Sequence, residues 1–339
     1  LSEIGDKIRM DVKHFQKVIT DFEHSGCDYT ADDVIAEFSS NNPENFLFPF
    51  MEGVIANLKT LGKIRTSETY AATLCSFRRF REDKDVTLDD MDSDMMMAYE
   101  AYLKNNGVSP NSSSFYMRNL RAVYNRAVEK GLTSQRFPFK HVYTGVDKTV
   151  KRAVPLKVIK KIKEMDFSMN PSFDFARDMF LMSFYTRGMS FVDMAYLRKK
   201  DLQNGVLSYR RRKTGQQLFI KWEKCMQEIV DKYDTSQSNY LLPIIKPFGD
   251  IDERKQYIYA AHNINRCLKI IGKELGLSVS LTLYVARHAW ASIAKSKNVP
   301  LSVISEGMGH DSEATTRIYL ASLDTVAIDK ANSMILKSL

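Results

Sequence analysis

The chain has 339 residues, 44% of them hydrophobic and 27% charged, with a net charge of +8 at pH 7. That length and apolar content suit a soluble globular protein of two domains, and the positive balance favours a polyanionic partner. Four widely spaced cysteines offer neither a metal nor a redox spacing, and no apolar run reaches the ~20 residues of a membrane span, so a metal-thiolate, disulfide-scaffold or transmembrane protein is excluded.

Residues 1–42 read as an N-terminal helical segment or linker. Ile4, Ile8, Val12, Phe15, Val18, Ile19 and Phe22 recur with a helical period, and Thr30 with Asp33 has the form of a capping box before a short helix at Val34–Phe38. Four helices are predicted next: Pro49 to Leu61, a second from Thr66 to Phe80, Asp92 to Leu103, and Ser112 to Lys130, with Gly107 and Gly131 as stops. The fourth carries Leu120, Val123, Tyr124 and Ala127 on one face and Arg118 and Arg121 on another, so the two arginines are candidates for phosphate contact.

A linker follows. KHVYTGVDKTVKRAVP is rich in cations, including Lys151 and Arg152, and it separates a helical domain at 43–147 from a second domain at 148–339. Pro155 then opens a helix carrying Leu156, Ile159 and Ile162. Residues 175–202 read as an apolar helix, a break at Gly188 and a second helix that ends in Arg198, Lys199 and Lys200. Residues 206–222 alternate as a hairpin, with Thr214–Gly215 as the turn, Leu207, Tyr209, Arg211 and Lys213 on one face, and Arg210 and Arg212 on the other. Helices at 223–233 and 256–275 come before the last informative stretch, LTLYVARHAWASIAKSKNVPLSVISEGMGHDSEATTRIYL, residues 281–320.

In that stretch Arg287 opens a helical run, Gly309–His310 follows a short helix, and Tyr319 stands nine residues after His310. The combination resembles the second catalytic box of the tyrosine recombinases, or phage-type integrases, with Tyr284 where that family usually has a histidine. Residues 188–201 resemble the first box, but Ser190 occupies the position of its catalytic arginine. Two residues are candidates to replace it. Arg187 lies three positions upstream, about one turn away if the helix continues, and is preferred on that ground. Arg211 points the same way as Lys213 on the hairpin and is the second candidate.

The resemblance implies a mainly α protein: a helical core-binding domain, then an α+β catalytic domain with a small β-hairpin or sheet. It implies a site-specific recombinase of a mobile element that cuts and rejoins double-stranded DNA through a 3′-phosphotyrosyl intermediate and a Holliday junction. Tyr319 would be the nucleophile, a role for which a phenol suits because it can attack phosphorus and conserve the bond energy as an ester. Arg287, His310 and the second arginine would hold the phosphate charge, and Lys213 would protonate the leaving 5′ oxygen. Tyr284 can hydrogen-bond a phosphate oxygen but supplies no positive charge at neutral pH. No metal or other cofactor is expected. The implied partners are recombination sites in DNA, further copies of the chain in a tetrameric synapse joined through the C-terminal tail, and a DNA-bending accessory protein, all in a bacterial cytoplasm. A type IB topoisomerase, which shares the nucleophile chemistry without needing a partner site, and a DNA-binding relative without catalysis are the alternatives.

Overall fold

The structure is a computed structural model that describes residues 2–26, 28–40, 45–147, 153–246, 251–320 and 333–336. It consists of two compact units, residues 1–148 and 149–339.

The first unit is helical. Helices α1 (Ser2–Ser25) and α2 (Ala31–Ser40) form a hairpin, closed by stacking of Phe22 on Tyr29 with ring centroids 5.1 Å apart. The Thr30 N–H donates to Asp33 Oδ2 at 2.8 Å and the Asp33 N–H donates to Thr30 Oγ1 at 3.3 Å, which is the reciprocal capping box, so α2 starts three residues before the apolar run that marks it in sequence. Helices α3 (Leu47–Thr60), α4 (Ile64–Arg81), α5 (Ser93–Asn105) and α6 (Pro110–Glu129) follow. Side-chain caps set two of the starts: Asp92 accepts from the Met95 N–H at 2.8 Å, and Ser109 accepts from the Ser112 N–H with Pro110 at the first turn. The apolar faces meet in a core of Leu47, Met51, Phe77, Tyr99, Leu103, Met117, Leu120 and Tyr124. Phe77 meets Tyr99 edge to face at 5.0 Å, and both buried phenols are satisfied, Tyr99 donating to Ser76 and Tyr124 to the Ser134 carbonyl. Truncating any of these rings to alanine costs about 3–5 kcal/mol.

The second unit is built around α8 (Pro171–Tyr185), whose residues from Asp178 to Ser183 are all buried. Helix α7 (Leu156–Glu164) and the long α11 (Glu253–Glu274) and α12 (Leu283–Ser296) pack against it. The short α9 (Phe191–Ala195) leads through a 3₁₀ turn into an antiparallel sheet of β1 (Leu202–Gln203), β2 (Val206–Arg210) and β3 (Gln217–Lys221), in the order β1-β2-β3. Pairing of Leu207 with Ile220 and Tyr209 with Leu218 sends those side chains into the core with Phe180, Leu268 and Ile271. Helices α10 (Lys224–Asp231), α13 (Leu301–Gly307) and α14 (Glu313–Leu320) complete the unit, and Ala291, Ile304, Met308 and Leu320 form a small second cluster among α12, α13 and α14.

One charge is buried away from the site. Asp178 accepts from Arg177, from Lys232 at 2.8 Å and from the Tyr233 hydroxyl at 2.8 Å, a shell of donors that offsets its desolvation and ties α8 to the residues after α10. Residues 333–336 form a helical turn with Met334, Ile335 and Leu336 exposed, whereas Val326 and Ala327 of the apolar tail lie outside the described residues. Among the described residues no helix is long and apolar enough to cross a membrane. The architecture is mainly helical with one small sheet.

Candidate active site

A pocket in the second unit gathers residues from four stretches of sequence: Ser190 at the start of α9, Arg211 and Lys213 after β2, Tyr284 and Arg287 on α12, and His310 after α13. Each arrives there for a local reason.

Helix α8 stops at Tyr185. Thr186 Oγ1 donates back to the Met182 carbonyl at 2.7 Å, Arg187 has φ +60°, and Gly188 has φ +74°. The expected continuation of this helix through Arg187 therefore fails: two consecutive left-handed residues turn the chain sharply. The Arg187 side chain runs toward α13, its Cδ lying 3.7 Å from where a Cβ on Gly307 would sit, and it does not line the pocket. Gly188 instead allows contact with α12. A Cβ there would lie 2.7 Å from Arg287 Cα, so any other residue would push α12 away.

Arg287 is 5% exposed. Its Nη1 donates to the Gly188 carbonyl at 2.6 Å, and its Nη2 donates to the Met308 carbonyl at 2.7 Å and lies 3.0 Å from His310 Nε2. The guanidinium thus reads the backbone of two turns at once and holds the first box to the second. His310 follows a helix end in which the Gly309 N–H bonds the Glu306 carbonyl at 2.9 Å and the His310 N–H bonds that of Ser305 at 3.0 Å, with Gly309 at φ +65°. Its Nδ1 is 2.8 Å from Thr316 Oγ1. Burial, followed by the cations Arg287, Arg211 and Lys213, pushes the His310 pKa down to about 4, so the ring is neutral at pH 7.

The hairpin delivers the other cations. Its strands end at Arg210 and Gln217, and the Arg211 N–H donates to the Gln216 carbonyl at 2.8 Å, so the loop is longer than the Thr214–Gly215 turn expected from sequence. The strand alternation continues through Arg211, which is 7% exposed and donates from Nη1 to the Gly309 carbonyl. Lys213, beyond the strand, is exposed at the pocket mouth. The hairpin loop is fastened to α9. Ser190 Oγ donates to Asp193 Oδ2 at 2.6 Å, while Asp193 Oδ1 accepts the Arg212 N–H at 2.9 Å. Ser190 is therefore part of a structural clasp, and Arg211 is a buried guanidinium that lines the same pocket.

Tyr284 lines the pocket, 57% exposed, and meets the buried His288 edge to face at 4.6 Å. His288 does not line it. Arg210 and Arg212 are exposed, and the Arg212 guanidinium lies 4.1 Å from the Tyr196 ring centroid. Tyr319 belongs to α14, one turn after Thr316. In the first unit Arg118 and Arg121 are exposed on α6, and Arg121 donates to Thr144 at 3.3 Å. Lys151 and Arg152 lie outside the described residues. Sequence reading placed Asp193 on the acidic position of the first-box pattern without giving it a role, and it missed Thr316. Both are short polar residues whose contacts are set by the fold, Asp193 with the Arg212 amide and Thr316 with the His310 ring.

Two family models match. Residues 46–142 match the phage integrase SAM-like domain, and residues 156–325 match the phage integrase family. The chain belongs to the phage integrase family, the tyrosine recombinases. No curated protein matches it in sequence. Among solved structures, the integrase is similar to lambda integrase residues 75–356 bound as a dimer to a COC′ core site, with 16% identity, a TM-score of 0.63, and coverage of 83% of this chain and 97% of that one. The lambda integrase tetramer bound to a Holliday junction gives a TM-score of 0.62 at 16% identity, covering 87% of this integrase and 82% of that chain. Tn1549 transposon integrase, residues 82–397 in complex with a circular-intermediate DNA, gives a TM-score of 0.57 at 15% identity, with coverage of 84% and 99%. At these identities the likeness is one of fold.

Proposed function

We propose that this integrase is a site-specific recombinase that cuts and rejoins DNA through a 3′-phosphotyrosyl bond at Tyr319. The observation that carries the reading is the convergence of Arg211, Lys213, Arg287 and His310 on one pocket, with the Tyr319 helix following directly. Two guanidiniums and an ammonium around one cavity suit a phosphodiester, whose transition state gathers negative charge on its non-bridging oxygens. The Tyr319 oxygen bonds to phosphorus as the bond to the 5′ oxygen breaks, and Lys213 Nζ gives that oxygen a proton. Arg287 and Arg211 hold the phosphate oxygens. Arg211 is preferred to Arg187 because it lines the pocket and bonds the turn that carries His310. Tyr284, exposed at the rim, adds a neutral hydrogen bond.

The freed 5′ hydroxyl of a partner strand then attacks the phosphotyrosine, giving a Holliday junction, and a second round gives recombinants. The ester conserves the bond energy, so the cycle needs no cofactor. The first unit grips the duplex through Arg118 and Arg121, the linker through Lys151 and Arg152, and the hairpin through Arg210 and Arg212. Four subunits assemble on paired sites, as lambda integrase does on a Holliday junction, with the C-terminal tail docking between neighbours and a DNA-bending protein assisting. Incubation with DNA carrying paired candidate sites tests the reading. Recombinant products that require both sites support it. Relaxation of supercoils without a partner site would indicate a topoisomerase instead, and binding without any strand breakage would indicate a relative that Ser190 and Tyr284 have disabled.

A further inference from the structure

Thr316 is fully buried on α14, next to Thr315, which lines the pocket, and serine or threonine in a helix interior is ordinarily satisfied by its own backbone. Its hydroxyl lies 2.8 Å from His310 Nδ1, and on the other side of the ring Arg287 Nη2 lies 3.0 Å from Nε2. Arginine is always protonated and has no acceptor atom. Nε2 must therefore be the acceptor of the Arg287 contact, which leaves the ring proton on Nδ1 and makes Thr316 Oγ1 the acceptor of that N–H. Burial and the neighbouring cations hold the His310 pKa down at about 4, which favours a ring with one proton, consistent with that assignment.

We infer that Thr316 is a positioning residue: its hydroxyl holds His310 in the Nδ1–H tautomer, so that the Nε2 lone pair faces Arg287 and the pocket and His310 acts as a proton acceptor rather than as a donor to the phosphate. The inference rests on the strand-cleavage reading above. In the cleavage step the Tyr319 oxygen forms its bond to phosphorus, the phenol proton passes to His310 Nε2, the bond from phosphorus to the 5′ oxygen breaks, and that oxygen takes a proton from Lys213 Nζ. Protonated Nε2 can no longer accept from Arg287, so the Arg287 N–H turns to the phosphate oxygens as their charge grows. Thr316 and Tyr319 lie one turn apart on α14. The same hydrogen bond thus reports to the phosphate site whether the nucleophile's helix is docked. The wild-type fold supplies the tautomer before DNA arrives, which is the preorganisation a second-shell partner provides to a reacting histidine.

The test uses the full chain labelled with ¹⁵N-histidine, with long-range proton–nitrogen correlation NMR to assign the His310 tautomer among the six histidines. Single-turnover cleavage of a nicked suicide DNA substrate runs in parallel, with DNA binding measured separately. The wild type should show Nδ1–H. Thr316→Val, which keeps shape and removes the hydroxyl, should show a mixture of tautomers and cleave about tenfold more slowly with DNA affinity unchanged, the loss expected for one orienting hydrogen bond. Thr316→Ser should restore both readouts. A wild-type Nε2–H or doubly protonated ring would overturn the inference, as would a Thr316→Val variant with unchanged tautomer and rate. A wild-type protein with the Nδ1–H tautomer but no covalent DNA adduct would overturn the cleavage reading and leave the Thr316–His310 positioning standing.

Discussion

Gly188 bears two constraints at once. It has φ +74°, and its Cα faces the backbone of Arg287 with no room for a Cβ. Gly188→Ala should lower stability by on the order of 2–4 kcal/mol, read as a shift in urea midpoint, because it adds left-handed strain to a backbone clash. An unchanged midpoint would mean that α12 can move aside freely. At His310 the linkage sign follows from a depressed pKa. The unfolded ring takes a proton near pH 6.5, whereas the folded ring resists until about 4. Stability attributable to this group is therefore fully present above pH 6.5 and is lost as pH falls toward 4. His310→Ala should flatten that part of the stability profile in denaturation at stepped pH. Residue identity and spacing single out Arg287, His310 and Tyr319 in the sequence, and the fold brings Arg287 and His310 together in one pocket. The helix expected to continue through Arg187 ends instead in a left-handed turn, which the identity of an arginine does not signal. Thr316 stayed hidden since its partner is six residues away in a different element.

The hairpin carries its alternation past the end of its strand. Strand alternation extends from Leu207 through Tyr209 to Arg211, which puts a buried guanidinium in the pocket that Ser190 also lines. That alternation is visible in the sequence and makes Arg211 the second candidate after Arg187; the contact of its side chain with the Gly309 carbonyl is visible only in the fold. The anchoring of the loop was not visible, because Asp193 and Arg212 are 19 residues apart. Arg211→Ala should slow cleavage by about 10²–10³-fold, as for loss of one preorganised charge at a transition state, and Arg187→Ala should slow it by less than tenfold. The opposite ranking in single-turnover assays would return the role to Arg187. Asp193→Ala should speed hydrogen exchange at the Arg212 amide, since that N–H loses its carboxylate acceptor. Helix positions were read well where capping and period agreed, as in α5 and α6. Their exact starts depended on Ser109, Asp252 and other caps one turn earlier than the apolar pattern.

At the scale of the molecule, the mainly helical character and the small sheet were legible because period and turn chemistry are local. Assembly on DNA is not local, and the sequence carries it only as charge. Exposed Arg118, Arg121, Arg210 and Arg212 with a net charge of +8 predict binding that weakens steeply with salt. Neutralising six to ten phosphates would cost about 10³–10⁵ in affinity between 50 and 200 mM salt. A flat salt response in fluorescence anisotropy would contradict a phosphate-tracking grip. The most direct test of the central claim is covalent capture on a nicked suicide substrate, resolved on a denaturing gel. The wild type should give a protein–DNA adduct and Tyr319→Phe none, while both bind the DNA equally. An adduct that persists in Tyr319→Phe, or no adduct on a well-bound cognate site, would contradict it.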